Sequence, residues 1–287
     1  MEESHTIETA VGKLAVRVEG DHEGAATVLW PSLFMSGRSF DRFLTFLTPQ
    51  RRVVVIDGPG HGASGDPGHR YSTADCAQAA GQILDRLAIR GPVDWVGNAW
   101  GGHVGLAFAA ARPTRCRSLV MLGTPMAALS SAERGRTYLL LAIYQLLGPI
   151  EIVLSGVTNV LLSAHTRVHD LEAVDLVRAS LRQADRRMLS NAVKSVSLDR
   201  ADATGLLPKI GMPTLIVTGR DHAGFTPDQA TAAARLVRHG EVAVIPDAAY
   251  LVPLEAPETT AAAVSDFWIR STADRPTDDA GPARLEL

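Results

Sequence analysis

Several things are scarce or missing in this sequence: a disulfide framework, a long uninterrupted apolar run, an excess of charge of one sign, and any metal-ligand spacing. Its 287 residues include only two cysteines, Cys76 and Cys116. Two are too few to staple a fold, and they read as reduced, mostly buried thiols of a cytoplasmic protein. His165 and His169 stand one helical turn apart with no glutamate between them, so the H-E-x-x-H zinc pattern is absent and no metal is implied. No glycine-rich turn has the G-x-G-x-x-G form that opens a dinucleotide-binding helix, so no cofactor is implied either. The net charge of -3 and pI of about 6.3 argue against nucleic acid or an anionic membrane as a partner. The most apolar stretch, 138–163, is broken by Gln145, Gly148, Pro149 and Glu151. It therefore falls short of the roughly 18 unbroken residues a membrane span needs and predicts two buried or half-buried helices. The acidic N-terminal segment has no apolar core of the signal-peptide kind.

What is present is an ordinary globular composition, 46% hydrophobic and 21% charged. A chain of this length buries roughly three quarters of its unfolded surface and needs no staple to fold. "HTIETA" and "KLAVRVEG" alternate around a tight turn and predict a hairpin. "GAATVLW", "RRVVVID", "PVDWVG", "CRSLVMLG", "PTLIVTG" and "GEVAVIP" are short β-rich runs separated by helical patterns. "FDRFLTFL" predicts a helix, and so does "STADCAQAAGQILDRLA", with Ser72 as N-cap and Asp75 in its first turn. "GHVGLAFAAARP", "TPDQATAAARLVRH" and "APETTAAAVSDFWIR" are read as helices too. Strand–helix alternation of this kind argues for a parallel sheet with helices on both faces. Between about residues 125 and 203 the strand signal vanishes and the pattern is helical throughout. The expected division is a core formed by 1–124 and 204–271, a helical cap over 125–203, and a polar, disordered tail over 272–287.

Gly97-Asn98-Ala99-Trp100-Gly101 lies between a strand and a helix, in the layout of a G-x-S-x-G nucleophile elbow with alanine at the attacking position. "DGPGHGASG" places Asp57, Gly60, Gly62 and Ser64 in a D-x-x-G-x-G-x-S segment. "LIVTGRDHAGFTP" ends a strand in an acidic residue, and "VIPDAAYLVPLEAPE" closes with an L-x-x-x-E-x-P-E tail. Together these motifs resemble the α/β-hydrolase superfamily over nearly the whole chain, from His5 to about Arg270. The resemblance implies a mostly parallel eight-stranded sheet with helices on both faces and a helical cap inserted after the sixth strand. It implies an oxyanion hole from the backbone N–H groups of Leu33 and Trp100, and a triad acid at Asp221. "WPSLFMSG" also resembles the N-S-L loop of enol-lactonases, and "WGG" after Ala99 resembles the elbow of haloalkane dehalogenases and epoxide hydrolases.

Two positions depart from the pattern. Ala99 has no lone pair with which to attack, and Tyr250 stands where the resemblance calls for histidine. A phenol near pKa 10 is a poor general base at neutral pH. His222, next to Asp221, is a candidate partner for it, whereas His61 and His103 read as packing or turn residues. Ser32, Asn98, Tyr138 and Tyr144 are candidate substrate contacts, the tyrosines as donors at the edge of a greasy helix containing Leu139–Leu141, Ile143, Leu146 and Leu147. Backbone donors survive any change of side chain. The expected ligand is therefore a small, mostly apolar carbonyl compound, handled by noncovalent acid–base chemistry. The alternatives are a deliberately inactivated ester, lactone, epoxide or haloalkane hydrolase and a ligand-binding pseudoenzyme. Both a monomer and a homodimer fit the sequence.

Overall fold

The computed structural model describes residues 2–273. Its centre is an eight-stranded sheet in the order β1-β2-β4-β3-β5-β6-β7-β8. The strands are β1 (Glu2–Thr9), β2 (Gly12–Gly20), β3 (Ala25–Trp30), β4 (Arg51–Ile56), β5 (Val93–Asn98), β6 (Cys116–Leu122), β7 (Thr214–Gly219) and β8 (Gly240–Ile245). β1 and β2 form the expected hairpin, and β2 runs antiparallel to β4; all other neighbours are parallel. The architecture is that of the α/β-hydrolase fold, as the motif order implies.

Alternation along the central strands builds two cores. Val54 and Ile56, Trp95, Leu119 and Met121 point to one face. Val53 and Val55, Val96, Val120 and Leu122 point to the other. A strand covered on both faces has no polar side, which is why "RRVVVI" reads as a continuous apolar run. Helix α1 (Asp41–Leu47) covers the second face through Phe43, Leu44 and Leu47. Helices α2 (Thr73–Arg86) and α3 (Trp100–Ala111) cover the first. Ser72 caps α2 in a full capping box with Asp75.

Between β6 and β7 the chain is helical. It forms α4 (Ser131–Leu147), α5 (Glu151–Leu161), α6 (Ala164–His169), α7 (Leu171–Gln183) and α8 (Arg186–Val193), and a π-helical turn follows over Lys194–Leu198. α4 and α5 bury one face each and expose the other: Leu141, Tyr144 and Val153 are buried, while Leu139, Leu146, Leu147 and Ile152 face solvent. Arg42 on α1 bonds Asp170 and Glu172 and so ties this insertion to the core.

The chain ends with α9 (Pro227–Ala234), β8, the short α10 (Val252–Glu255) and α11 (Pro257–Ala273). α9 stops well before the expected His239. The chain has to turn back sharply to enter β8, and a Cβ on Gly240 would sit 2.2 Å from the Ala234 carbonyl oxygen. Residues 272 and 273, expected in a polar tail, belong to α11, which continues through Ala273; the rest of that expected tail lies outside the described residues. No helix among the described residues is long and apolar enough to cross a membrane. Cys76 and Cys116 are free and buried.

The opposite end of the sheet from the elbow is held by one carboxylate. Asp94 on β5 is almost fully buried and accepts from Arg51 (2.6 Å), Arg117 (2.7 and 3.0 Å) and Ser118 (2.6 Å). Burial alone would raise its pKa, but Arg117, Ser118 and Arg51 outweigh burial and hold it below the usual carboxylate range. Arg51 also lies 3.4 Å over the Trp268 ring, and Trp268 donates to Ser118, which fastens α11 to the same network. Asp94→Ala leaves two guanidinium groups partly buried without their acceptor. It is expected to cost about 3–5 kcal/mol, read as a lowered denaturant midpoint. An unchanged midpoint would show that the cluster holds nothing together.

Candidate functional site

The candidate site lies at the carboxyl ends of the parallel strands, where open α/β sheets gather their loops. Ala99 follows β5 with φ 50° and ψ -102°, a conformation that side-chain-bearing residues rarely adopt. Neighbouring glycines make room for it. A Cβ on Gly101 would stand 1.9 Å from the Trp30 carbonyl oxygen, and one on Gly97 would stand 2.1 Å from the Gly101 backbone. Trp95 Nε1 donates to the Gly101 carbonyl at 3.0 Å, pinning the turn from below. The Ala99 methyl is buried at the apex. The elbow thus keeps its strained geometry and carries nothing that can attack.

Leu33 and Trp100, expected to supply a pair of backbone donors, lie after β3 and at the start of α3. Neither N–H has a protein acceptor among the described residues. The loop carrying Leu33 is held by His61, whose Nε2 accepts from the Phe34 N–H at 3.1 Å while Nδ1 donates to the Pro59 carbonyl at 2.9 Å. Phe34 has φ 73°, so this hydrogen bond fixes a backbone that would otherwise relax. Burial lowers the His61 pKa to about 4, keeping the ring neutral and its Nε2 free to accept. Asp57 braces the same loop by accepting from Gly37 N–H at 2.6 Å. The turn role expected of His61 is therefore also a positioning role for the oxyanion loop.

Asp221 does not occupy the place the sequence reading assigned to it. Its side chain is exposed and has no hydrogen-bond or ion-pair partner among the described residues. The next residue turns inward instead. His222 is buried, and its ring lies against that of Tyr250, tilted by 35° with centroids 4.4 Å apart. β7 ends at Gly219, and the turn that follows, closed by the His222 N–H on the Gly219 carbonyl at 3.2 Å, carries Asp221 outward and His222 inward. His222 Nδ1 accepts from the Gly224 N–H at 3.1 Å, so the neutral ring carries its proton on Nε2, which has no partner. Burial lowers the pKa of His222 to about 4. Burial raises that of Tyr250, only partly offset by Arg200, so the phenol stays protonated. His103 is buried on α3 and also held neutral, by burial first and Arg200 second.

Asn98 is not a free substrate contact. Its Nδ2 donates to the carbonyls of Leu122 and Tyr250, both at 2.9 Å, tying the elbow to the segment that carries Tyr250. Its Oδ1 is buried without a partner, as is Ser32 Oγ. The two cap tyrosines are placed differently from expectation. Tyr144 is buried and spends its O–H on the Leu181 and Ala184 carbonyls, and Tyr138 is 47% exposed. Sequence reasoning missed Glu255. It accepts from the Ala249 and Leu251 N–H groups on either side of Tyr250, and from Ser163 N–H and Thr166 Oγ1 in the helical insertion. Its signal was present in the E-x-P-E tail, but the partners are distant in sequence. Among the described residues no cluster of three or more His, Cys, Asp or Glu is placed to hold a metal ion.

A strand–elbow–helix unit with two free backbone donors, set on this sheet, defines the class as an α/β hydrolase. The family model for the alpha/beta hydrolase fold matches residues 28–257, and the chain belongs to that family. It is 33% identical over 178 residues to a 2-hydroxy-6-oxononadienedioate/2-hydroxy-6-oxononatrienedioate hydrolase of Burkholderia vietnamiensis, a match covering 59% of this chain and 60% of that protein. It spans less than two thirds of the length of each of the first curated relatives it matches. Among solved structures, a thermophilic esterase from Thermogutta terrifontis superposes with a TM-score of 0.86 at 23% identity, covering 94% of this chain and 99% of that one. The enol-lactonase from Burkholderia xenovorans LB400 gives 0.83 at 20%, covering 92% and 100%. At these identities the structural likeness speaks for the fold.

The buried histidines set an acid limit. In the unfolded chain His61 and His222 titrate near 6.5, and in the folded chain near 4, so acid favours unfolding. Their contribution is complete above about pH 6.5 and is lost as pH falls toward 4, on the order of 3 kcal/mol for His61. Melting temperature should fall steadily over that window, and His61→Asn should flatten the slope. A melting temperature flat from pH 7 to 4 would contradict this.

Proposed function

We propose that this chain binds a small, mostly apolar carbonyl compound and promotes a noncovalent rearrangement of it, without an acyl-enzyme. The observation that carries this reading is the elbow itself. It keeps the strained turn and the unengaged Trp100 N–H, with the Leu33 N–H on the loop after β3 also unengaged, yet has a methyl group at its apex. In such a site the carbonyl oxygen accepts from Leu33 and Trp100, and charge developing on it is stabilised by donors that need no reorganisation. Tyr250, kept protonated by burial, donates to the resulting alkoxide or enolate. His222, with its proton on Nε2, is a second donor. The site is thus rich in donors and has no strong base, because Asp221 faces solvent.

Chemistry suited to these groups is attack by a hydroxyl the substrate itself carries on the polarised carbonyl, or on an alkene conjugated with it: as the new C–O bond forms the π electrons move onto the carbonyl oxygen, Tyr250 gives that oxygen its proton, and the resulting phenolate takes the proton of the attacking hydroxyl; from an ester the alcohol then leaves. The names of the relatives lend support: a hydrolase of 6-oxo dienedioates, a poly(3-hydroxyalkanoate) depolymerase and a polyketide synthase all denote proteins of carbonyl compounds. A second reading is a binding protein without turnover, favoured by the missing base. It predicts ligand affinity with no product.

Two measurements separate these readings from a conventional hydrolase. On a panel of hydroxy esters and hydroxy enones, the chain should form cyclised product, and Tyr250→Phe should slow it by about 10²–10⁴-fold. No product from any member, with binding intact, selects the binding protein. On p-nitrophenyl esters, the chain and Ala99→Ser alone should both be inactive. Ala99→Ser combined with Tyr250→His and His222→Asp should gain turnover, because the acid has to face residue 250. Labelling of the unmodified chain by a phosphonate probe would overturn the noncovalent reading.

A further inference from the structure

Half of the large apolar side chains that the fold leaves exposed are gathered on one part of the helical insertion. Of the 14 among the described residues, seven lie between Tyr138 and Val160. Single exposed leucines need no explanation, but a concentration of them marks an interaction surface. From Thr137 to Ile150 the chain carries no charge at all. α4 runs through this patch. Leu141 and Tyr144 are buried on its inner side, while Leu139 (64% exposed) and Leu146 (80% exposed) stand on the outer side.

The outer side has an order that selects its partner. Gly135, Leu139, Ala142 and Leu146 are spaced by four, three and four residues, so they form one stripe about 60° wide. All four are exposed, and a Cβ on Gly135 would meet nothing within 4 Å. Small and large residues alternate along the stripe. Against an antiparallel copy, with a two-fold axis between residues 140 and 141, Leu139 meets the partner's Ala142 and Leu146 meets the partner's Gly135. Each large side chain then enters the space left by a small one, the ridge-and-groove fit that lets helix axes approach to about 8–10 Å. In a parallel pair leucine would meet leucine and alanine would meet alanine, leaving gaps.

Charge agrees with the antiparallel arrangement. Arg136 is exposed, with no hydrogen bond or ion pair among the described residues. In this register it lies opposite the partner's Gln145, in the last turn of that helix, where the dipole is negative and carbonyls lack intrahelical donors. α4 has no basic residue of its own in that turn. The two copies of Arg136 are about 13 Å apart along the helix axis, beyond the screening length of about 8 Å at physiological salt. The charged residues that flank the stretch, Glu133, Arg136 and Glu151, lack the basic excess that draws a helix face onto a lipid surface.

We propose that the outer side of α4 is the interface of a homodimer, in which two copies pack α4 antiparallel about a two-fold axis with each leucine of the stripe seated over a small residue of the partner. A two-fold interface of this kind is self-complementary, as the alternation requires. It does not depend on what occupies the candidate site. An interface built on one helix pair falls below the standard size of about 800 Å² per partner, so the dimer is weak and forms with rising concentration.

The test is sedimentation velocity of the whole chain over about a hundredfold range of concentration. The mass is expected to rise from 30.6 kDa toward twice that value as concentration increases. Leu146→Lys changes a side chain that is already in solvent and should raise the midpoint concentration by about tenfold or more. Ala142→Leu should weaken association by a similar factor, because leucine then meets leucine, even though the surface has become more apolar. Leu139→Ala combined with Ala142→Leu exchanges knob and hole. It should bring the midpoint back to within about threefold of the unmodified chain. A single 30.6 kDa species at every concentration would overturn the inference. An unmoved midpoint in Leu146→Lys, or a double variant no better than Ala142→Leu, would do the same. So would flotation with phosphatidylcholine vesicles in place of self-association, which would make the patch a lipid-facing surface.

Discussion

Everything at the candidate site depends on how closely α3 approaches the end of β3. Gly101 lies so near the Trp30 carbonyl that no side chain fits between them, and Gly102 lies almost as tightly against Thr124. That contact lets the chain reverse within one residue and holds Ala99 at positive φ. Strain of this kind persists only where the surroundings over-determine it. Here the surroundings are the stacked indoles of Trp30 and Trp95 and the hydrogen bond from Trp95 to Gly101.

From that point the site is assembled by hydrogen bonds between segments far apart in the chain. His61 holds the loop after β3, Asn98 holds the backbone of Tyr250, and Glu255 holds both neighbours of Tyr250. Glu255 also reaches Ser163 and Thr166, so one carboxylate joins the segment after β8 to the helical insertion. These side chains support rather than react. Tyr250 and His222 face one another, and every group the proposed chemistry uses is a donor: two backbone N–H groups, a phenol and a neutral imidazole. A donor-rich, base-poor centre polarises a carbonyl but does not generate a strong nucleophile.

Much of this was readable beforehand. The strands announce themselves by β-branched runs, α2 by Ser72 and Asp75, and the elbow by the spacing of Gly97, Gly101 and Gly102. That Ala99 and Tyr250 stand at the nucleophile and histidine positions is what the motif order leads one to expect. The roles of Tyr144, Asn98 and Asp221 were not. Tyr144 turns its O–H toward α7, Asn98 spends its amide on backbone carbonyls, and Asp221 faces solvent while His222 takes the inner place. In each case the residue type suited the role, but the direction of the side chain did not.

The amino-acid sequence determined the sheet, its two cores and the tight turn at Ala99, because short β-branched apolar runs and glycine spacing are local properties that no distant contact has to supply. Only the tertiary structure decided which of Asp221 and His222 meets Tyr250, and which polar atoms remain free to meet a ligand. Those outcomes hang on a turn just past the end of β7 and on a partner, Tyr250, that is distant in sequence from Asn98 and from His222 alike. One step of rotation there exchanges inside for outside, and no local pattern records it.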